Sequence, residues 1–276
     1  MPTALILSSF VAADRIGGAA QQYVLAAHRI DPVLAPTVMF GRSPAKGGEG
    51  QVTAPPVLRR MLADIEADAI FGEVDLVITG HFSSEAQVEI AAEVLERIRA
   101  GSSRRPAVIV DPIMGDAPKG LYVKPEVAAA VIDRLVPLAD WITPNLWELG
   151  QLAGREVTDA ADAVAAVRAL GRPALVTSIP AGKAEIGILF ADATDAVLFA
   201  HPKLPKAPNG TGDLVAASFG AGLVEGLTPL AAAERAARAV AEAVESARAW
   251  RTLDLPLVAI ADRLVNPKAA LRIERL

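Results

Sequence analysis

Short apolar runs alternate along this chain with longer stretches in which apolar residues recur every three to four positions. The first run, residues 5–7, predicts a buried strand, and 17–28 behind it predicts a helix. Residues 33–40 read as an extended strand with an irregularity at Pro36, because proline brings no N–H to a ladder. Leu58, Met61, Leu62 and Ile65 stand at helical spacing within 56–71. Next come a strand at 76–79, a helix at 84–99 and a strand at 107–110. Pro125 suits a first helical position, so a helix is expected from there to about 136. A strand at 141–143, a short helix started by Pro144, a helix at 161–170 and a strand at 174–177 follow. Two runs, 186–190 and 196–199, flank Asp192-Ala193-Thr194-Asp195 and read as a hairpin. The last helices span about 213–225 and 229–250, the second with Thr228 as N-cap and Pro229 behind it.

Buried strands alternating with helices imply an α/β fold, a parallel sheet covered on both faces, with the hairpin adding antiparallel edge strands. No linker or internal repeat is visible, so residues 1–276 are expected to form one domain. The loops at 41–50 and 202–209 are the ones expected to move. Hydrophobic residues make up 52% of the chain, enough for a large core, but aromatics only 4%, so Ala, Val, Leu and Ile must fill it. The net charge of −5, with no basic block interleaved with aromatics, argues against nucleic acid as a partner. The lack of cysteine excludes disulfides, thiolate metal sites and a cysteine nucleophile. The N-terminal apolar run is short and lacks a basic leader, and no uncharged run has the length of a membrane span. A cytoplasmic location is expected, with no membrane partner.

Candidate chemistry gathers where strands end, the usual ligand rim of open α/β sheets. Ser8 and Ser9 are placed after the first strand, Gly80 and His81 after 76–79, and Asp111 after 107–110. Thr143 and Asn145 follow the next strand, and Thr177 and Ser178 the one at 174–177. Beyond them comes Gly210-Thr211-Gly212-Asp213, leading straight into an apolar helix. Two glycines around a hydroxyl free the backbone to wrap an anion at a helix N-terminus, and a carboxylate there is poised to take a proton from an alcohol. The plainer reading is a glycine turn with an acidic first-turn residue. Asp111, locked by Pro112, either caps a turn or faces a cation or a phosphate-bound water. Glu148 either stabilises a helix dipole or holds Mg²⁺ through water. No Walker A run and no Gly-x-Gly-x-x-Gly after the first strand occurs. Gly17-Gly18 reads as helix-entry punctuation, and His28, His81 and His201 show no metal spacing.

Gly210-Thr211-Gly212-Asp213, Asp111-Pro112-Ile113-Met114-Gly115 and Thr143-Pro144-Asn145-x-x-Glu148 together resemble the ribokinase-like kinases. Within them, Lys119-Gly120-Leu121-Tyr122-Val123 and the tail Asp262-Arg263-Leu264 with Asn266-Pro267 resemble the bacterial pyridoxal kinases. The similarity runs from the first strand to the C-terminus. It implies a three-layer sandwich with a mostly parallel central sheet, and phosphoryl transfer from ATP to an alcohol. Asp213 would be the general base, and the amides of Gly210, Thr211 and Gly212 the anion hole. Asp111 and Glu148 would manage Mg²⁺ and the ATP phosphates, with Thr143 and Thr177 near the nucleotide. A lid within 201–209, carrying His201, Pro202, Lys203 and Leu204, would cover ATP. Ser9 would touch the pyridine ring, with Ser43, Pro44 and His81 nearby. The resemblance also implies a homodimer and K⁺ beside Mg²⁺. Three departures stand out: Ser43-Pro44 where the family usually has Thr, His81 where Tyr is common, and Thr177 where Lys is common near the phosphates. The lid is a few residues short. Hydroxymethylpyrimidine or another small heteroaromatic alcohol is therefore the alternative substrate, and a non-catalytic vitamer-binding protein the alternative of another class.

Overall fold

The computed structural model describes every residue except Pro205 and Lys206. The strands are β1 (Thr3–Val11), β2 (Asp31–Phe40), β3 (Gly50–Val52), β4 (Leu76–Thr79), β5 (Ala107–Val110), β6 (Gly115–Asp116), β7 (Gly120–Leu121), β8 (Trp141–Ile142), β9 (Ala174–Pro180), β10 (Glu185–Ala191), β11 (Ala196–Pro202) and β12 (Arg272–Arg275). Ten form one sheet in the order β3-β2-β1-β4-β5-β8-β9-β10-β11-β12, and β6 pairs with β7 in a small ribbon. From β2 to β9 the sheet is parallel. Antiparallel strands complete both edges, β3 on one and β10 to β12 on the other.

Alternation along each strand builds two cores. Leu5, Leu7, Val77, Val108 and Val110 face one side, under the helices Pro55–Ala67, Glu85–Gly101, Pro125–Ala130 and Ala160–Leu170. Ala4, Ile6, Ile78, Ile109 and Leu175 face the other, under Gly17–Ala27, Thr211–Val224 and Pro229–Trp250. Helix, sheet and helix make the three layers. Among the described residues no helix is long and apolar enough to cross a membrane.

The strands at 76–79 and 107–110 and the Thr228 N-cap stand where the pattern places them. An irregularity does occur beside Pro36: the β1–β2 register shifts between Ser8 and Phe10. That shift corrects the end of β1. Phe10 and Val11 re-pair with Met39 and Phe40, so Ser8 and Ser9 lie inside the strand. Thr177 and Ser178 likewise lie inside β9, which bulges and then pairs Ile179 and Pro180 with β10. The helix in 56–71 breaks after Ala67, where Ala69 turns to φ 63°. The one from Pro125 widens over Val131–Leu135 and tightens over Val136–Leu138, where Pro137 has no N–H to give. Pro144 does not start the next helix, which is Leu146–Ala153 with Asn145 as N-cap.

Candidate active site

Helix Thr211–Val224 lies flat on the parallel strands because its residues suit close approach. A side-chain carbon on Gly220 would sit 2.7 Å from Leu76, and Phe219 meets Trp141 edge-on at 5.0 Å between ring centroids. This seating carries the helix N-terminus to the carboxyl ends of the strands. Gly210 stands before the first turn at φ 94°, and a Cβ there would lie 2.2 Å from the Arg15 carbonyl oxygen, so only glycine fits. No side chain caps this N-terminus. Next to it, a Cβ on Gly212 would meet none of the described residues within 4 Å. The start of the helix therefore offers N–H groups beside open space.

Asp213 ends that first turn and is buried. Its Oδ2 accepts the Gly17 N–H at 2.8 Å, while Oδ1 is buried with no partner among the described residues. Burial raises its pKa to about 6. Asp111, Thr143 and Ser8 complete the surroundings. Alternation puts Asp111 and Thr143 on the same sheet face as Ile109 and Trp141, the face this helix covers. Burial and the charges of Glu148 and Asp213 push the Asp111 carboxyl well above the ordinary range. The Thr143 hydroxyl lies against the Asp111 carboxyl, and the Ser8 hydroxyl is buried without a hydrogen-bond partner among the described residues. Unmet buried oxygens gathered around repelling carboxylates are a place prepared for something that supplies positive charge and donors. They also lie beside the point where strand order reverses, β2 on one side of β1 and β4 on the other.

Glu148 has a different neighbourhood. Asn145 caps helix Leu146–Ala153 and forms a capping box with it. One Glu148 oxygen accepts Met114 N–H at 2.7 Å and Gly115 N–H at 3.3 Å; the other accepts Asn145 N–H at 2.9 Å. Asn145 Nδ2 donates to the Gly115 carbonyl at 2.8 Å. These bonds hold the turn after Asp111, in which Ile113 sits at φ 39°, a conformation costly for a β-branched residue. Burial lifts the Glu148 pKa to about 7.

On the other side of the helix start is a pocket of about 220 Å³. Thr177, His201, Lys203 and Leu204 line it, with Val215 and Val240 as apolar wall and Thr211 at the edge. Pro202 is exposed and outside the lining. The His201 imidazole is held neutral by burial. The pocket shares Ser178, Ile186 and Lys203 with a larger cleft of about 980 Å³ that runs past Asn145 and Gln151. Pro205 and Lys206, at the middle of the expected lid, lie outside the described residues.

At the opposite end, Ser9 presses on Gly17: a Cβ there would fall 2.2 Å from Ser9 Oγ. Gly17, whose N–H donates to Asp213, stands between Ser9 and the carboxylate. His81 follows β4, its pKa lowered by burial to about 4, and its carbonyl accepts the Thr37 hydroxyl at 2.5 Å. Ser43 is buried; its N–H donates to Asp14 at 2.5 Å and its Oγ accepts Ala45 N–H at 3.2 Å. Pro44 is exposed and opens a short turn.

Residues 45–256 match the family model described as phosphomethylpyrimidine kinase. The pyridoxal kinase PdxY of Leifsonia xyli is 30% identical over 282 residues, covering 99% of each chain. The chain belongs to the pyridoxal kinase family. A pyridoxine/pyridoxal/pyridoxamine kinase of Bordetella avium is 33% identical over 255 residues, 88% of this chain and 84% of that one. A pyridoxal kinase of Leishmania donovani, solved with ADP and pyridoxine, has the same fold, with a TM-score of 0.91 at 23% identity over 99% of each chain. The ribokinase-like fold and the phosphotransferase class expected from the motifs are thereby met.

Against the family frame, the fold joins Asp111, Thr143 and Asp213 in one group and Thr177, His201, Lys203 and Leu204 in another, with Thr211 between them. Sequence reading missed Gly17, whose N–H holds the Asp213 carboxylate, and the Asp14 contact beneath Ser43. Gly17-Gly18 was a visible signal read only as punctuation; Asp14 carried no local signal at all.

Proposed function

We infer that this protein transfers the γ-phosphoryl group of ATP to B6 vitamers, acting on the 5′-hydroxymethyl group of pyridoxal to give pyridoxal 5′-phosphate in vitamin salvage. One observation carries the reading: the bare Oδ1 of Asp213 at an uncapped helix N-terminus. Above pH 6 this carboxylate is ionised and takes the hydroxymethyl proton. The freed oxygen bonds to the γ-phosphorus as the bond to the ADP oxygen breaks. The amides of Gly210, Thr211 and Gly212 meet the charge on the transferring oxygens. The adenine end takes the apolar pocket beside Val215 and Leu204, with Thr177, His201, Pro202 and Lys203 around the nucleotide.

Asp111 suits Mg²⁺: it is buried, repelled by two carboxylates, and beside the Thr143 hydroxyl. When bound, Mg²⁺ neutralises phosphate charge. Glu148, with both oxygens already on backbone N–H groups, acts by holding the turn that presents Asp111. K⁺ dependence, a homodimer and a cytoplasmic location are proposed on the resemblance, and sedimentation with and without K⁺ tests the first two.

A second reading keeps the transfer and replaces the substrate with hydroxymethylpyrimidine. The description of the matched family favours it, as do Ser43, Pro44 and His81 at the ring end. Steady-state kinetics on pyridoxal, pyridoxine, pyridoxamine and hydroxymethylpyrimidine with ATP-Mg²⁺ decide. The first reading expects the highest kcat/KM for a B6 vitamer; a higher value for the pyrimidine overturns it. Pyridoxal binding without turnover would support a vitamer-binding protein instead.

A further inference from the structure

We propose that Lys46 is a positioning residue: it latches the loop that carries Ser43 against the ring end of the site. The proposal rests on the reading of that end as the vitamer site.

The loop between β2 and β3 closes on itself. The N–H groups of Lys46 and Gly48 both donate to the Ser43 carbonyl, at 2.9 and 3.0 Å. The closure needs glycine, since a Cβ on Gly48 would lie 1.9 Å from the Arg42 carbonyl oxygen. Those bonds shape the loop but do not fasten it to the rest of the molecule. The Ser43 N–H, on Asp14, and the Lys46 side chain do so. Its ammonium bonds Asp14 at 2.5 Å on one side and Asp254 at 2.9 and 3.1 Å on the other. The Asp14 carboxylate is buried and accepts the Ser43 N–H with its other oxygen. Despite burial, Lys46, the Ser43 N–H and the charge of Arg15 hold its pKa below the ordinary carboxylate value.

Asp14 belongs to the strap that joins β1 to helix Gly17–Ala27. The same strap puts the Arg15 carbonyl against Gly210 and the Gly17 N–H on Asp213. Its first residues, Ala12 and Ala13, donate to Phe40 and Gly41 at the root of the loop. One short strap thus touches the loop, the glycine turn and the base. Lys46 locks the loop to it and to the C-terminal segment at Asp254. The base end is anchored independently by Gly17 and Gly210, so losing the latch changes vitamer capture far more than the chemical step.

Kinetics on the purified full-length protein test this, with pyridoxal and ATP varied separately. Lys46→Met is expected to raise KM for pyridoxal about tenfold, the order of one charge-assisted bond, with kcat and KM for ATP changed less than threefold. Lys46→Arg is expected to recover most of the loss. Asp254→Asn, at a half-exposed position that leaves the buried Asp14 pair intact, is expected to raise KM for pyridoxal two- to threefold and to add nothing in the Lys46→Met background. The latch is refuted if Lys46→Met leaves KM for pyridoxal within twofold, or if KM for ATP rises equally and arginine gives no rescue. An inactive wild-type enzyme on pyridoxal would instead refute the vitamer reading.

Discussion

Two helix N-termini in this protein begin alike and serve different ends. Each places a buried carboxylate at the third position of its first turn, Asp213 in one and Glu148 in the other, and burial raises both, to about 6 and about 7. At Leu146–Ala153 the Asn145 side chain caps the helix and three backbone N–H groups fill Glu148. At Thr211–Val224 the cap is a left-handed glycine with no side chain to give, and one oxygen of Asp213 has no partner among the described residues. The saturated carboxylate holds a strained turn; the unsaturated one leaves an acceptor for the proposed substrate. A buried acid is therefore read by its unmet hydrogen bonds more than by its burial or pKa, because an unfilled oxygen costs stability that a bound ligand restores.

Substitutions can break this contrast, and the largest effect is expected at the base. Asp213→Asn keeps the acceptor for Gly17 but removes the proton sink, so kcat/KM for pyridoxal should fall by about 10²–10⁴-fold. Thermal melting of the unliganded protein should rise at the same time, since a neutral amide removes the cost of burying an ionised carboxylate. Gly210→Ala and Gly212→Ala should then diverge. The first drives a Cβ into the Arg15 carbonyl at positive φ and should cost about 2 kcal/mol or more by denaturant unfolding. The second enters open space in a helix, so stability should hold or rise by about 0.5–1 kcal/mol. Its methyl would intrude where phosphate charge is met, and the rate should drop at least tenfold.

Glu148→Gln comes next. Its amide would face the Asn145 N–H or the Met114 N–H donor to donor, at a cost of about 1–2 kcal/mol. Activity should fall about tenfold as the 113–115 turn relaxes. The smallest signal is in pH. The folded pKa of Asp213, about 6, lies above its ordinary 3.8, so the folded state holds this proton more tightly. Its share of stability is therefore full below about pH 4, declines as pH rises to about 6, and stays lost above. Unfolding curves across that window should show the decline in the wild type and a reduced one in Asp213→Asn.

How much of this was legible depended on the range of the interaction. β4 and β5 were readable to the residue because a continuous apolar run bounded by polar residues is a local signal. Ser84 and Thr228 declare helix starts for the same reason. The ends of β1 and β9 were not readable. Each continues past polar residues through a bulge, and what extends it is a partner strand, Met39 for Phe10 and Gly187 for Ile179, not an apolar run of its own. The site divides in the same way. Gly210 to Asp213 is one contiguous motif and was visible at once. Its Gly17 bond spans 196 positions and the Lys46–Asp254 contact 208, and neither leaves a mark in the local sequence.

The central claim is that the unfilled Asp213 oxygen is the base of a phosphoryl transfer. The most direct measurement is the pH dependence of kcat/KM for pyridoxal 5′-phosphate formation from ATP-Mg²⁺ and pyridoxal, in the wild type and in Asp213→Asn. The wild-type rate should climb with pH through about 6 to a plateau, and the variant should be at least a hundredfold slower with that rise gone. A variant within threefold of the wild type, following the same profile, would contradict it.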